Sequence, residues 1–308
     1  MSRRIPLSVL AGFFVVYVFW GATFLAIKIG DATLPPLLLA ALRFLLAGGI
    51  LYGWGWGRGW PHPRAREWGA VALVSVLMFL IGYGVVFWAE TRVSSGMTAV
   101  IVALVPLCIA GLEAWVWRTE PASARVLGGC LLGVAGMAVL MSGGGAAQLP
   151  AGPVTALILA SLAWAVGTVL MVRLPMPAHA GVSAAAQMLV GGAMLLAASA
   201  ASGELRGLHW ASAFTPAAVW SLLYLVLPGS VLAYGVFVWL LERVAAVHVA
   251  TYALVNPVVA LLLGWEWGGE ALHWPSLLGT AIILGALALV LGRRSREARP
   301  PMAATQLD

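Results

Sequence analysis

Apolar runs of about twenty residues, each closed by glycine, proline or a cluster of charge, recur along the whole 308-residue chain. One such run, coiled as a helix, covers the hydrocarbon thickness of a bilayer. The pattern predicts helices over approximately 7–29, 35–54, 68–89, 94–117, 124–142, 150–172, 181–201, 217–240, 245–267 and 275–292. Five fall in each half. The fold class is therefore an all-α membrane protein of ten transmembrane helices, with halves at 1–145 and 146–292. The glycine run 143–145 and Pro150 join them, and the Pro/Ala-rich, charged segment 293–308 forms a disordered cytoplasmic tail.

The halves are copies of one another. Tyr83, Gly84, Val85, Trp88 and Pro106 reappear 151 residues later as Tyr234, Gly235, Val236, Trp239 and Pro257. At an offset of 150, Trp115, Trp117 and Glu120 reappear as Trp265, Trp267 and Glu270. A weaker echo aligns Trp20 with Trp164 and Arg43 with Gln187 at 144, then Thr23 with Thr168 and Lys28 with Arg173 at 145. Because each unit holds an odd number of spans, the second enters the bilayer in the opposite sense. The expected architecture is thus two inverted five-helix repeats, with a substrate site near the midplane between them.

Composition agrees: 62% of the residues are hydrophobic and only 9% charged, against about 25% charged in soluble domains. The net charge of +6 reflects topology and not nucleic acid. With a cytoplasmic N-terminus, thirteen arginines (3, 4, 58, 64, 66, 118, 125, 173, 243, 293, 294, 296 and 299) lie inside, and only Lys28, Arg92 and Arg206 lie outside. Both termini are therefore expected in the cytoplasm, in a bacterial-type inner membrane. The first span is too long for a signal-peptide core and has no small-x-small exit. Cys108 and Cys130 fall inside spans without metal-ligand spacing and read as buried small hydrophobes.

Trp20-Gly21-Ala22-Thr23-Phe24 with Arg43-Phe44 resembles the opening motifs of EamA-type members of the drug/metabolite transporter superfamily. Ser94-Ser95-Gly96-Met97-Thr98-Ala99 leading to Pro106, then Glu120 and Gly128, is similar too. The second unit repeats the pattern in residues 243–250, Asn256-Pro257, Glu270, Gly279 and Gly285. The resemblance covers residues 7–292 and implies a carrier of small metabolites, often an exporter of amino acids. Gln187 departs from it, standing where the duplicate would carry an arginine.

Arg43 lies about eight residues into a span, where an unpaired guanidinium costs at least a few kcal/mol. It reads either as a cavity cation holding a substrate carboxylate through paired hydrogen bonds or as one half of a structural pair. Trp20, Trp164, Tyr83 and Tyr234 occupy equivalent places in the two units and are expected to meet across the pseudo-twofold, lining a cavity or packing. Pro106 and Pro257 are candidate hinges, since each removes a helix hydrogen bond. Tyr252 and Asn256, four residues apart on one face, are candidate substrate contacts, as is Gln187. Glu90, Glu113 and Glu242 read as interfacial, and His248 as a packed neutral histidine. Glycines 128, 129, 133, 136, 279 and 285 suit close packing or a homodimer surface.

No metal or cofactor motif occurs. A pairing of Ser230 with His248 as an intramembrane protease is a weak alternative to transport. A sugar-phosphate or nucleotide-sugar carrier needs several cavity cations, and Arg43 is the one candidate. The expected partners are membrane lipid and a zwitterionic or monoanionic solute, amino acids with bulky apolar or aromatic side chains first.

Overall fold

The computed structural model describes residues 6–118, 124–141, 150–244, 249–250 and 252–294. The glycine linker 143–145, Glu120, His248 and the tail from 295 onward lie outside them. Among the described residues there is no strand. Seven helices are long and apolar enough to cross a membrane: α1 Leu7–Gly30, α2 Pro36–Gly57, α3 Ala65–Glu90, α4 Ser95–Val116, α6 Ala151–Arg173, α7 Ala180–Ala201 and α8 Pro216–Leu241. Between and after them lie α5 Ala124–Met141, α9 Tyr252–Glu266 and α10 Trp274–Arg294. Their apolar stretches among the described residues are shorter, Leu127–Gly136, Val255–Glu266 and Trp274–Ala286.

Sequence sets the helix ends locally. Pro35 and Pro36 start α2, and Pro216 starts α8 behind Thr215, whose hydroxyl accepts from the Ala218 N–H. Ser94 does the same for α4 through the Met97 N–H at 3.4 Å. Two helix starts are capped by distant carboxylates. Glu204 accepts from the Leu37 and Leu38 N–H groups, at 3.3 and 3.1 Å. Glu270 accepts from those of Ser95 and Gly96, at 2.7 and 3.2 Å. Anions belong there because the first N–H groups of a helix have no intrahelical acceptor.

Helices α2 and α7 form the central seam. A Cβ on Gly48 would stand 3.0 Å from the Leu189 nitrogen, and one on Gly192 would stand 2.9 Å from the Leu45 nitrogen. Leu45 with Gly48 and Leu189 with Gly192 are thus reciprocal partners, at the same offset of 144 that relates Arg43 to Gln187. Helices α5 and α10 pack on each other, and a Cβ on Gly136 would meet Ile283 at 2.8 Å. Leu131, Val134 and Leu278 on this pair stay exposed.

Among the described residues three helices carry a π turn: Val76–Tyr83 in α3, Leu112–Val116 in α4 and Leu227–Leu232 in α8. Those in α3 and α8 lie at the 151-residue offset. A π turn holds one residue more than an α turn and loosens the backbone ladder, so carbonyl groups become available to side chains. In α4 the ladder breaks at Ala103–Leu104, just ahead of Pro106, whereas Pro257 sits inside α9.

The loops gather at two ends. One holds Asp31, Glu90, Glu204 and Glu270 and is called here the acidic end. The other holds Arg58, Arg64, Arg118, Arg173 and Arg243 and is the basic end. Acidic-end contacts join distant parts of the chain: Thr33 Oγ1 donates to Ala213 O at 2.8 Å, and Ser221 Oγ donates to Ala26 O. At the basic end Trp60 lies 4.0 Å from the His179 ring.

Candidate functional site

A cavity of about 60 Å³ lies at mid-bundle. Trp20, Thr23, Phe24 and Ile27 come from α1, Gly82, Tyr83 and Val86 from α3, and Val102 and Val105 from α4. Ala160, Ser161 and Trp164 of α6 and Tyr252 and Asn256 of α9 complete the lining. Five of the residues singled out in the sequence are therefore in the wall. Their rings form one cluster: Tyr83 meets Trp164 edge-on at 5.0 Å, Trp164 meets Trp20 at 6.2 Å, and Trp20 meets Tyr252 at 5.1 Å.

Among the described residues the lining contains no Lys, Arg, His, Asp or Glu. Its polar groups are mostly engaged by backbone. Thr23 Oγ1 donates to Trp20 O at 2.6 Å and Ser161 Oγ to Leu157 O at 2.8 Å. Asn256, with its amide oriented as a donor, bonds Tyr17 O at 2.9 Å and Tyr252 O at 3.3 Å. The Trp164 indole N–H has no partner among the described residues. Sixty cubic ångströms holds a few waters and no metabolite, so a solute enters only when helices part.

Arg43, Gln187 and Tyr234 are outside this lining, fully buried one layer behind it. Arg43 reaches from α2 to the π turn of α8, where its Nε donates to Ser230 Oγ at 2.7 Å and its Nη2 to Gly229 O at 3.1 Å. The same carbonyl accepts from Trp20 Nε1 at 3.0 Å, and Ser230 Oγ in turn donates to Leu225 O at 2.8 Å. Pro228, lacking an N–H, sits inside this turn. The guanidinium also lies 4.7 Å from the Phe44 ring centroid and 5.0 Å from that of Tyr83, the latter a wall residue. In the second half Gln187 Nε2 donates to Ser183 O and Oγ at 3.1 and 3.0 Å, while Tyr234 Oη donates to Gln187 Oε1 at 2.7 Å.

Ser230, the nucleophile of the protease alternative, is thus held in a structural network. Glu242 is exposed just beyond α8 and pairs with Arg243 at 2.9 Å. Glu90, expected at the interface, is instead completely buried, and neither carboxylate oxygen has a hydrogen-bond donor among the described residues. Nor was Asp31 singled out, although both its carboxylate oxygens are likewise buried and without a donor. The signal for Glu90 is phase. A π turn advances the helix face by about one residue, so α periodicity drawn through residues 76–83 misplaces every residue beyond them in α3. A second, wider cleft of about 720 Å³ opens at the basic end between α1, α2, α7 and α8, beside Trp54, Trp60, His179 and Arg243.

A mid-bundle cavity walled by several apolar helices is the arrangement expected of a membrane carrier, and comparison with known proteins assigns the class. The model of the EamA-like transporter family matches residues 7–142 and again 152–292. This chain belongs to the EamA-like transporter family. It is 36% identical to the inner membrane transporter YedA of Escherichia coli strain K12, over 98% of this chain and 97% of that one. Protein PecM of Dickeya dadantii is 30% identical over 91% and 93%, and the transporter YvbV of Bacillus subtilis is 26% identical over 89% and 88%. A solved crystal structure superposes on 95% of this chain and all of its own with a TM-score of 0.64 at 21% identity, a likeness of fold.

Proposed function

We propose that this membrane transporter exports amino acids and related zwitterionic or monoanionic metabolites, those with aromatic or bulky apolar side chains first. The observation that carries the reading is the cavity wall, in which Trp20, Tyr83, Trp164 and Tyr252 surround a space with no charged side chain among the described residues. Aromatic faces with one polar tip hold an apolar side chain and leave hydrogen-bonding groups for its polar end. The Trp164 N–H and the Tyr83 hydroxyl are the groups chosen for the solute's carboxylate, with Arg43 behind Tyr83 as a positive background. A phosphorylated sugar needs cations in the wall, and the described residues place none there.

The architecture belongs to the same reading: ten spans as two inverted repeats, 1–145 and 146–292, termini in the cytoplasm, and the acidic end outward. The 151-residue offset of the two π turns and the reciprocal Gly48–Leu189 and Gly192–Leu45 contacts support it. Alternating access then parts the halves around the cavity, first at one end and then at the other, with Pro106 and Pro257 as hinges. The exposed apolar outer faces of α5 and α10 are left for lipid or a second copy.

The test is uptake into proteoliposomes of radiolabelled phenylalanine, leucine and tryptophan beside a nucleotide sugar. Saturable amino-acid flux that Tyr83→Ala or Trp164→Ala abolishes in folded protein is expected. Flux of the nucleotide sugar alone overturns the substrate assignment, and no flux above empty liposomes across a broad metabolite panel overturns transport of such solutes.

A further inference from the structure

Four carboxylates meet at the acidic end, and they divide into two kinds. Glu204 and Glu270 each accept two backbone N–H groups at a helix start. Asp31 and Glu90 accept nothing: all four of their oxygens are buried and without a donor among the described residues. The Lys28 ammonium favours their ionised forms from a distance but gives neither carboxylate a hydrogen bond, because its Nζ donates to the backbone carbonyl of Glu90 at 2.6 Å. The other charges acting on Glu90 are Asp31 on the α1 end, Arg43 on α2 and Glu270 at the start of α4. Helix α6, also packed on the last segment of α3, has one charged residue, Arg173, at the opposite end. Arg92, next along the chain, is turned to Trp88 O and the Thr91 hydroxyl.

Burial without a partner disfavours an ionised carboxylate, and a proton is the simplest ligand that removes the charge. Position gives the pair a connection to the solute path. Glu90 lies one helical turn beyond the wall residue Val86, and Asp31 one turn beyond the wall residue Ile27.

We infer that Glu90, with Asp31 beside it, is a proton-binding site that couples solute movement to proton movement in the opposite direction. With the acidic end open to water, Glu90 is hydrated and ionised. Closing that end moves its carboxylate into the packed interior, which takes up one proton from the acidic-end water. When the basic end opens, water reaching the cavity takes that proton from Glu90 Oε and carries it to the opposite side. Asp31 reinforces the uptake, because burial raises its carboxyl from the ordinary 3.8 to about 8 against the opposing pull of Lys28. The coupling step rests on the carrier reading above; the proton site itself does not.

Infrared titration of the full-length protein in phospholipid vesicles tests the site without a substrate. The carbonyl band of a protonated carboxyl is expected to persist at neutral pH, to lose its Glu90 component in Glu90→Gln and to keep it in Glu90→Asp. A spectrum unchanged by Glu90→Gln, or a band removed by sodium chloride at constant pH, overturns the proton assignment. Vesicles loaded with labelled phenylalanine test the coupling. Imposed pH gradients are expected to accelerate efflux from wild type and from Glu90→Asp. Glu90→Gln is expected to lose that acceleration while retaining phenylalanine counterflow. Equal acceleration in Glu90→Gln overturns the coupling. No phenylalanine movement by wild type overturns the substrate proposal, and the infrared result then decides the proton site.

Discussion

Arg43 on α2 and Gln187 on α7 stand at corresponding places in the two halves, both fully buried, yet they solve burial differently. Arg43 uses carbonyl and hydroxyl acceptors that the π turn of α8 presents, with aromatic faces around its remaining edge. Gln187 is neutral and closes its hydrogen bonds within α7 and onto Tyr234. The receiving turns explain the choice. At the 151-residue offset, Gly229 and Ser230 correspond to Met78 and Phe79, and Phe79 fills its place with a ring 5.2 Å from Tyr234. A cation is tolerated where the opposite helix offers acceptors, and an amide replaces it where the opposite helix offers a side chain of hydrocarbon.

The sharpest way to break this comparison is Gln187→Arg, which restores sequence symmetry and places a cation against Phe79. A loss of several kcal/mol is expected, read as failure to purify as a monodisperse protein or a large drop in melting temperature. Arg43→Ala ranks next, at about 3 kcal/mol, because it removes two charge-assisted hydrogen bonds and leaves a void. Detergent thermal melts check it, and Arg43→Lys restores little, since an ammonium lacks the planar fork. Tyr234→Phe, which leaves Gln187 Oε1 without its donor, is expected to cost about 1–3 kcal/mol in the same assay.

The smallest effect compares the ends of the bundle and depends on pH. Asp31 is raised by burial from 3.8 to about 8, so the folded state binds its proton more tightly than the unfolded chain does. The stability this adds is fully present below the unfolded value and is lost as pH rises through about 8. Melting temperature is therefore expected to fall across that interval, and Asp31→Asn is expected to flatten the decline.

Much of this was legible in the chain. Apolar run length placed α1 at 7–29 against the observed Leu7–Gly30, and α7 at 181–201 against Ala180–Ala201. Aromatics at matched offsets converge because each unit places them at the same depth. The orientation of Arg43 was not legible, because it depends on a π turn nearly two hundred residues away that hydropathy does not register. Glu90 closes an apolar run and so looks solvated, because hydropathy registers neither the extra residue of the α3 π turn nor the neighbouring helix ends that cover it. Asp31 follows the end of α1, where a carboxylate in sequence is indistinguishable from a solvated one.

The reciprocal seam between Gly48 and Leu189 and between Gly192 and Leu45 has a mechanical meaning. Two helices whose backbones interlock midway cannot slide without unpacking, but they can pivot, so the seam is a fulcrum. Each 22-residue helix extends about 16 Å to either side of it, and a rotation of about 10° displaces the ends by about 3 Å, in opposite senses above and below. Widening one mouth by such a pivot narrows the other. On the proposed alternating access, keeping both mouths from opening together would be a property of leverage, set by two glycines and two leucines outside the cavity wall.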